Sequence, residues 1–348
     1  MESIPVGAWA ALIGLVTGCV LGLAARLGEF CTLGALESAL YGEDHRRLRT
    51  WGVVLGTGIA ATYLLDALGQ IHLDRTIYHS VAWNPLASVL GGALFGYGMA
   101  LAGNCGFGAL ARFGGGDLRS LVVVVVISIF GFVTLSGPLA PLRDWAFPQL
   151  PATGPQGYAH LAERLLGLPA LAVALIIAAL FFAWALSHAP LRAEPRRIAW
   201  GVAVGLAIAG ALWGTSLLNE ATLGAVNVEG HTFTAPLGRT LMWLMTSSAG
   251  GLSFSVGSVL GVLLGARIGS WQKGTFRWEA CEDPRELGRQ VGGAALMGIG
   301  GVVALGCSVG QGVTAFSTLA YSAPVVLAAI CAGAMLGLKR LIAGFQPD

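Results

Sequence analysis

Apolar residues fall along this chain in blocks of about 20, the length at which a helix rising 1.5 Å per residue crosses roughly 30 Å of hydrocarbon. Short polar stretches separate the blocks. The pattern predicts nine spans, near residues 6–27, 51–71, 84–103, 119–137, 168–187, 198–217, 239–269, 289–305 and 318–338. The seventh is over-long, and "SSAGG" (Ser247–Gly251) marks a place for it to tilt or break. The leading stretch "MESIPVGAWAALIG" has no basic region and no clear cleavage site after its apolar run, so it reads as a first span and not as a removable signal. The expected fold is an all-α integral membrane protein, one membrane domain over 1–348, with lipid as the solvent for much of its surface.

Composition agrees. The chain is 55% hydrophobic and 11% charged, where soluble domains carry about 25% charged residues. With the amino terminus outside, sixteen of the twenty Lys and Arg fall on the inner side and four (Arg75, Arg143, Arg164, Arg239) on the outer. Positive residues favour the cytoplasmic side, so this orientation is expected, with the carboxyl terminus inside. A net charge of +2 spread over loops excludes a nucleic-acid surface. Six cysteines without CxxC or CxxH spacing exclude a zinc site, and six unpaired methionines argue against a copper path. No cofactor motif, nucleotide-binding loop or catalytic triad is present, so an ATP-driven machine or an enzyme is not expected.

Four glycine-broken spots interrupt the spans: "EFCTLGAL", "NCGFGAL", "NEATLGAV" and "GCSVGQG". All carry [Cys/Ala]-x-x-Gly, as Cys31–Gly34, Cys105–Gly108, Ala221–Gly224 and Cys307–Gly310. The first pair follows spans 1 and 3, the second pair spans 6 and 8. Corresponding spans lie five apart, an odd number, so the halves should cross the bilayer in opposite senses. The expected division is residues 1–140 as the first repeat half, 141–197 as an outer loop, connecting span and inner loop, and 198–348 as the inverted second half. Broken backbone is tolerated in hydrocarbon only inside protein or beside water. The spots therefore predict short re-entrant half-helices whose free N–H groups meet near the midplane as an anion site. Gly34, Gly108, Gly224 and Gly310 are its candidate backbone positions.

Three of the four spots begin with cysteine. A thiol is a weak, polarizable donor that suits a sulfur-bearing substrate. Cys31, Cys105 and Cys307 are thus the candidate site thiols, while Cys19, Cys281 and Cys331 read as packing or loop residues. The stretches "RLGEFCTLGAL", "GNCGFGALARFGGGDLRS" and "GCSVGQGVTAFSTLA" resemble the YeeE/YedE family of bacterial sulfur-compound transporters, over nearly the whole chain. The resemblance implies an hourglass-shaped inner-membrane protein that takes up thiosulfate. Cys31, Cys105 and Cys307 would contact the substrate sulfur through S–H···S bonds at a central constriction.

Secondary candidates are Glu29 and Glu220, as intramembrane proton relays or as surface groups, with Glu29 paired to Arg26 one turn away. Asn104 and Asn219 are candidate half-helix caps, and Gln311 and Thr314 candidate cavity residues. Arg112 and Arg119 flank the second broken spot on the inner side. His72, His79 and His231 fall in outer loops, where solvation is expected. The inner loop "SWQKGTFRWEACEDPREL" (Ser270–Leu287) is long enough to dock a small sulfur-carrier protein or to serve as a plain connector. Two rivals stand beside the transporter. One is a sulfurtransferase relaying a persulfide between thiols, which needs an activated cysteine, and no basic residue is expected beside a motif cysteine at the midplane. The other is a channel for a different small sulfur, selenium or neutral solute.

Overall fold

The computed structural model describes residues 5–248, 250–280 and 283–343. Among them run sixteen α-helices: α1 (Val6–Leu27), α2 (Thr32–Tyr41), α3 (Arg46–Ala67), α4 (Ile77–Ser80), α5 (Pro85–Ala102), α6 (Gly106–Gly114), α7 (Leu118–Leu135), α8 (Ala140–Ala146), α9 (Tyr158–Leu166), α10 (Ala170–Leu186), α11 (Ala189–Arg192), α12 (Pro195–Ala221), α13 (Ala235–Thr246), α14 (Phe254–Gln272), α15 (Pro284–Val303) and α16 (Ser322–Ala343). A π-helical turn covers Gly310–Ala315, and the described residues form only isolated β-bridges. The five consecutive valines Val122–Val126 would read as a strand in water. A lone strand cannot satisfy its backbone in lipid, and here they sit inside α7.

Among the described residues, seven helical stretches are long and apolar enough to cross a bilayer: Val6–Tyr41, Arg46–Ala67, Pro85–Gly114, Leu118–Leu135, Pro195–Ala221, Phe254–Gln272 and Ser322–Ala343. Length and composition therefore support seven crossings, and two of the nine expected spans fall outside that set. α10 is apolar but has 17 residues, and α15, with 20, carries Arg285, Glu286 and Arg289 at its start. The over-long seventh block is broken between Thr246 and Phe254, around the glycines that marked it; Ala249 lies outside the described residues. Large apolar side chains such as Leu12, Val16, Leu90, Leu180, Leu206 and Leu336 stand exposed on these helices. A water-soluble surface does not carry such a density of them.

Lipid supplies no hydrophobic drive between helices, so close backbone packing must hold them together. In α1, Gly14, Gly18 and Gly22 lie against α14, and Gly257, Gly261, Gly265 and Gly269 lie against α1 in the same order, so the two helices run parallel. α3 and α12 also pack parallel, through Gly201 and Gly205 on Val53 and Thr57. α5 presents one glycine pair, Gly91 and Gly98, to an antiparallel α15, and another, Gly92 and Gly96, to a parallel α16. α1 and α12 are antiparallel, with Gly28 on Trp200 and Gly214 on Ile13. Packed among these seams, the short α6 and the π-turn segment are mostly buried.

Candidate functional site

Each cysteine of the three Cys-x-x-Gly motifs follows a span that stops abruptly. Two residues before the thiol the chain takes a left-handed turn: Glu29 at φ 56°, Gly103 at φ 74° and Leu305 at φ 57°. Only one of the three is glycine. The other two adopt the left-handed conformation at a cost of about 1–2 kcal/mol each. Strain held at equivalent places beside a site is a mark of function. After the turn, Cys31 and Cys105 become the N-caps of α2 and α6. The Gly34 N–H donates to Cys31 Sγ at 3.5 Å, the Gly108 N–H to Cys105 Sγ at 3.4 Å, and the Gly310 N–H to Cys307 Sγ at 3.4 Å. The spacing of three is thus the N-cap spacing, with sulfur in place of the usual oxygen. A sulfur that accepts at its lone pair keeps its proton to donate elsewhere.

The segment after Cys307 opens into the π turn, where Thr314 N–H bonds Val309 O five residues back at 3.0 Å. Such turns cluster at functional sites. Cys307 Sγ also accepts from the Phe233 N–H at 3.2 Å and the Thr232 hydroxyl at 3.7 Å. The three thiols are brought together. Cys105 and Cys307 share one buried apolar cluster with Cys31 packed against it, and the buried Ser308 hydroxyl next to Cys307 makes no hydrogen bond among the described residues. Phe30, Phe107 and Phe233 join them as a row, with ring centres 6.2 and 5.3 Å apart. Cys105 and Cys307 are fully buried and Cys31 is partly exposed.

A cavity of about 350 Å³ reaches Gly306, Thr232 and Thr234 from one side, and Arg75, Arg239 and Glu229 stand in its wall. Arg75 donates to Asn219 Oδ1 at 2.7 Å, and Arg239 pairs with Glu229 at 3.1 Å. At the opposite end of α3, a slot lined by Glu29, Phe30, Cys31, Arg47, Trp51 and Arg197 has no room for a water molecule. Cys31 lines the slot, and Gly306, next to Cys307, lines the chamber. Arg75 and Arg239 were seen in the sequence only as outer-loop charges; their approach to the chamber depends on how the chain returns after α3 and α12.

The fourth broken spot is built differently. Ala221 ends α12 instead of starting a helix, and Gly224 (φ 91°) is an exposed turn with nothing near it, so neither reaches the thiols. The donors on that side come from Thr232 and Phe233, which the motif did not mark. Asn219 is not a helix cap: it sits in the last turn of α12, bound to Arg75 and to Val226 O. Asn104 lies beside the cap position that Cys105 fills, with its Oδ1 buried and unpaired. Gln311 braces the broken end of α15 through Ala304 O at 2.9 Å and accepts from Ser322, and Thr314 donates to His231 O at 2.7 Å. Glu220 pairs with His72.

Several surroundings differ from expectation. Glu29 is bound to Arg47 and Arg197, while Arg26 donates to Ala111 O and Arg112 O. Helix α1 ends at Leu27, so the one-turn spacing that favoured Arg26 is lost at the left-handed turn. His231 and His79 are buried, not solvated. His231 joins Ser258 at 2.7 Å to Thr17 at 2.9 Å, and His79 bonds Thr318 O at 3.1 Å. A basic group does stand beside one motif, because Arg47 lies over Gly34. Arg119 pairs with Asp117, Glu279 and Glu286. Cys19 lies in the α1–α14 seam, Cys331 is partly buried, and Cys281 falls outside the described residues.

Gly310 is glycine because Thr232 crosses it. A Cβ there would stand 2.4 Å from Thr232 Oγ1. Gly310→Ala is expected to push the Thr232–Phe233 segment off Cys307 and cut transport at least tenfold, and adding Thr232→Ala to recover part of it. Uptake assays on the two variants at matched protein levels check this.

The sulphur transport family model matches residues 27–336. The chain is 28% identical over 325 residues to the thiosulfate transporter TsuA of Spirochaeta thermophila, covering 89% of this chain and 92% of that protein. It is 27% identical over 320 residues to the thiosulfate transporter TsuA of Escherichia coli K12, covering 86% of each. A family match over this much of an all-α chain with apolar spans makes the protein a multi-pass membrane transporter and not an enzyme: it belongs to the sulphur transport family, the YeeE/YedE proteins that its cysteine motifs resemble.

Proposed function

We propose that this protein imports thiosulfate across a bacterial inner membrane, with its amino terminus outside. The observation that carries this reading is the grouping of three thiols, each accepting the N–H of a motif glycine, with an arginine-walled chamber reaching Gly306 beside Cys307 and a closed slot beside Cys31. Thiosulfate is a dianion with one soft sulfur end. Arg75 and Arg239 in the chamber wall favour collection of the anion. The buried Ser308 hydroxyl and the Thr232 hydroxyl suit its oxygens, and the thiols suit its terminal sulfur. Each thiol holds its place by accepting a backbone N–H, so its proton is free to meet the passing sulfur.

The two halves, 1–140 and 198–348, act as inverted repeats about that point. The antiparallel packing of α1 on α12 and of α5 on α15 supports this, since these are the corresponding spans. The inner segment 270–287 exposes Trp271 and Trp278 and is the surface on which a cytoplasmic sulfur carrier would dock.

The test is growth of a transport-deficient bacterium on thiosulfate as sole sulfur source, with and without this protein. Growth only with the protein is the expected result. Rescue on sulfate or sulfite but not on thiosulfate would reassign the substrate, and rescue on none would remove the reading.

A further inference from the structure

The slot beside Cys31 is closed by charge. Glu29 accepts from Arg47 at 2.9 Å and Arg197 at 3.2 Å, and Lys273 stands 4.0 Å from its other oxygen. Arg47 is in the first turn of α3 and Arg197 in the first turn of α12, and α2 begins three residues past Glu29. Three helix amino termini therefore converge on one carboxylate. A cation at such an end opposes the helix dipole, so each of these positions calls for an anion. One negative charge serves three cations there, with Arg197 also held by Glu194 at 2.7 Å. Glu29 itself sits in the left-handed conformation and lines the slot. Its side chain is 42% exposed, and half-exposed ion pairs hold weakly. The arrangement is an anion site already filled by a residue of the chain, against a motif thiol.

We propose that Glu29 is a resident latch occupying the site, between Arg47 and Arg197, where the departing sulfur oxyanion binds before it leaves. The proposal rests on the transport reading above. A dianion moving past Cys31 brings two charges against one. It displaces the carboxylate, opens the slot and is released when Glu29 returns. The binding chemistry is that of a divalent oxyanion, and the exchange involves no covalent step.

The experiment measures how fast Cys31 reacts in purified full-length protein in nanodiscs, where both faces meet reagent, with the Cys31 adduct followed by mass spectrometry. Two methanethiosulfonates are used, one anionic and one cationic. In Glu29→Gln both are expected to modify Cys31 at least tenfold faster than in the unaltered protein. Unchanged rates overturn the latch. A faster anionic and slower cationic reaction also overturns it, since a changed field alone produces that pattern. Thiosulfate added to Glu29→Gln is expected to slow the modification at least threefold, and a further Arg47→Gln to abolish that protection. Absence of protection overturns the anion site. Glu29→Asp keeps the charge one methylene short of the arginines and is expected to give a smaller rise of the same kind. Should Glu29→Gln not fold, an unchanged rate in Glu29→Asp overturns the proposal. Transport by cysteine variants is a separate readout that makes no use of Glu29, so loss of the transport reading and loss of the latch are told apart.

Discussion

Cys105→Ser is expected to leave the protein folded in the membrane and to reduce thiosulfate uptake at least tenfold, toward background. In the proposed mechanism the two effects separate because the thiol has two roles. As the N-cap of α6 it accepts the Gly108 N–H. A serine oxygen caps at least as well, and caps are worth about 1 kcal/mol, so stability should hold. As a soft donor grouped with Cys31 and Cys307 it has no oxygen equivalent. Cys105→Ala removes both roles and should lose uptake as well, with at most about 1–2 kcal/mol of stability. Radiolabelled uptake read against protein level by immunoblot distinguishes the cases. Cys31 and Cys307 should follow the same pattern. Normal transport by all three serine variants would remove the thiol contact from the mechanism.

Gly257→Val is expected to abolish assembly, with a yield of folded, monodisperse protein at least tenfold lower. A Cβ at Gly257 would lie 1.9 Å from Ala11 O, inside backbone that cannot retreat without unpacking the helix. Overpacking in a core costs about 1–3 kcal/mol when side chains can move aside, and here the obstacle is a carbonyl. Separating α1 from α14 also undoes the contacts at Gly14, Gly18, Gly261 and Gly265 together, because one rigid seam carries them all. Gly292→Ala is the control. Its Cβ would meet nothing within 4 Å, and alanine in a helix gains up to about 1 kcal/mol over glycine. Size-exclusion profiles of fluorescent fusions report both variants. A normal profile for Gly257→Val would mean that the seam does not hold the fold.

The membrane class, most span positions and the N–H to sulfur bonds of the three Cys-x-x-Gly motifs were legible because each depends on local chemistry. A 20-residue apolar run must be helical in lipid whatever surrounds it. The Cys-x-x-Gly spacing marks an N-cap whether or not its neighbours are known. The fourth motif shows the limit of that rule. Ala221–Gly224 copies the spacing without the capping atom, and the chain there ends a helix where Cys31 and Cys105 begin one. The left-handed turns at Glu29 and Leu305 were also hidden, since neither residue type favours that conformation and only the packed surroundings enforce it.

The sequence alone determined that this chain crosses a membrane and that three of its thiols begin helix-like turns after broken spans. Tertiary structure decided which groups those turns meet. Thr232 and Phe233 come to Cys307 from 74 and more residues away, and Arg47 and Arg197 come to Glu29 from 18 and 168. Glu29 found those partners in place of the nearby Arg26, and His231 found Thr17 and Ser258 in place of water. Helix formation is set by neighbours along the chain. Partner choice is set by the glycine seams that fix which helix ends converge, and no local pattern encodes that.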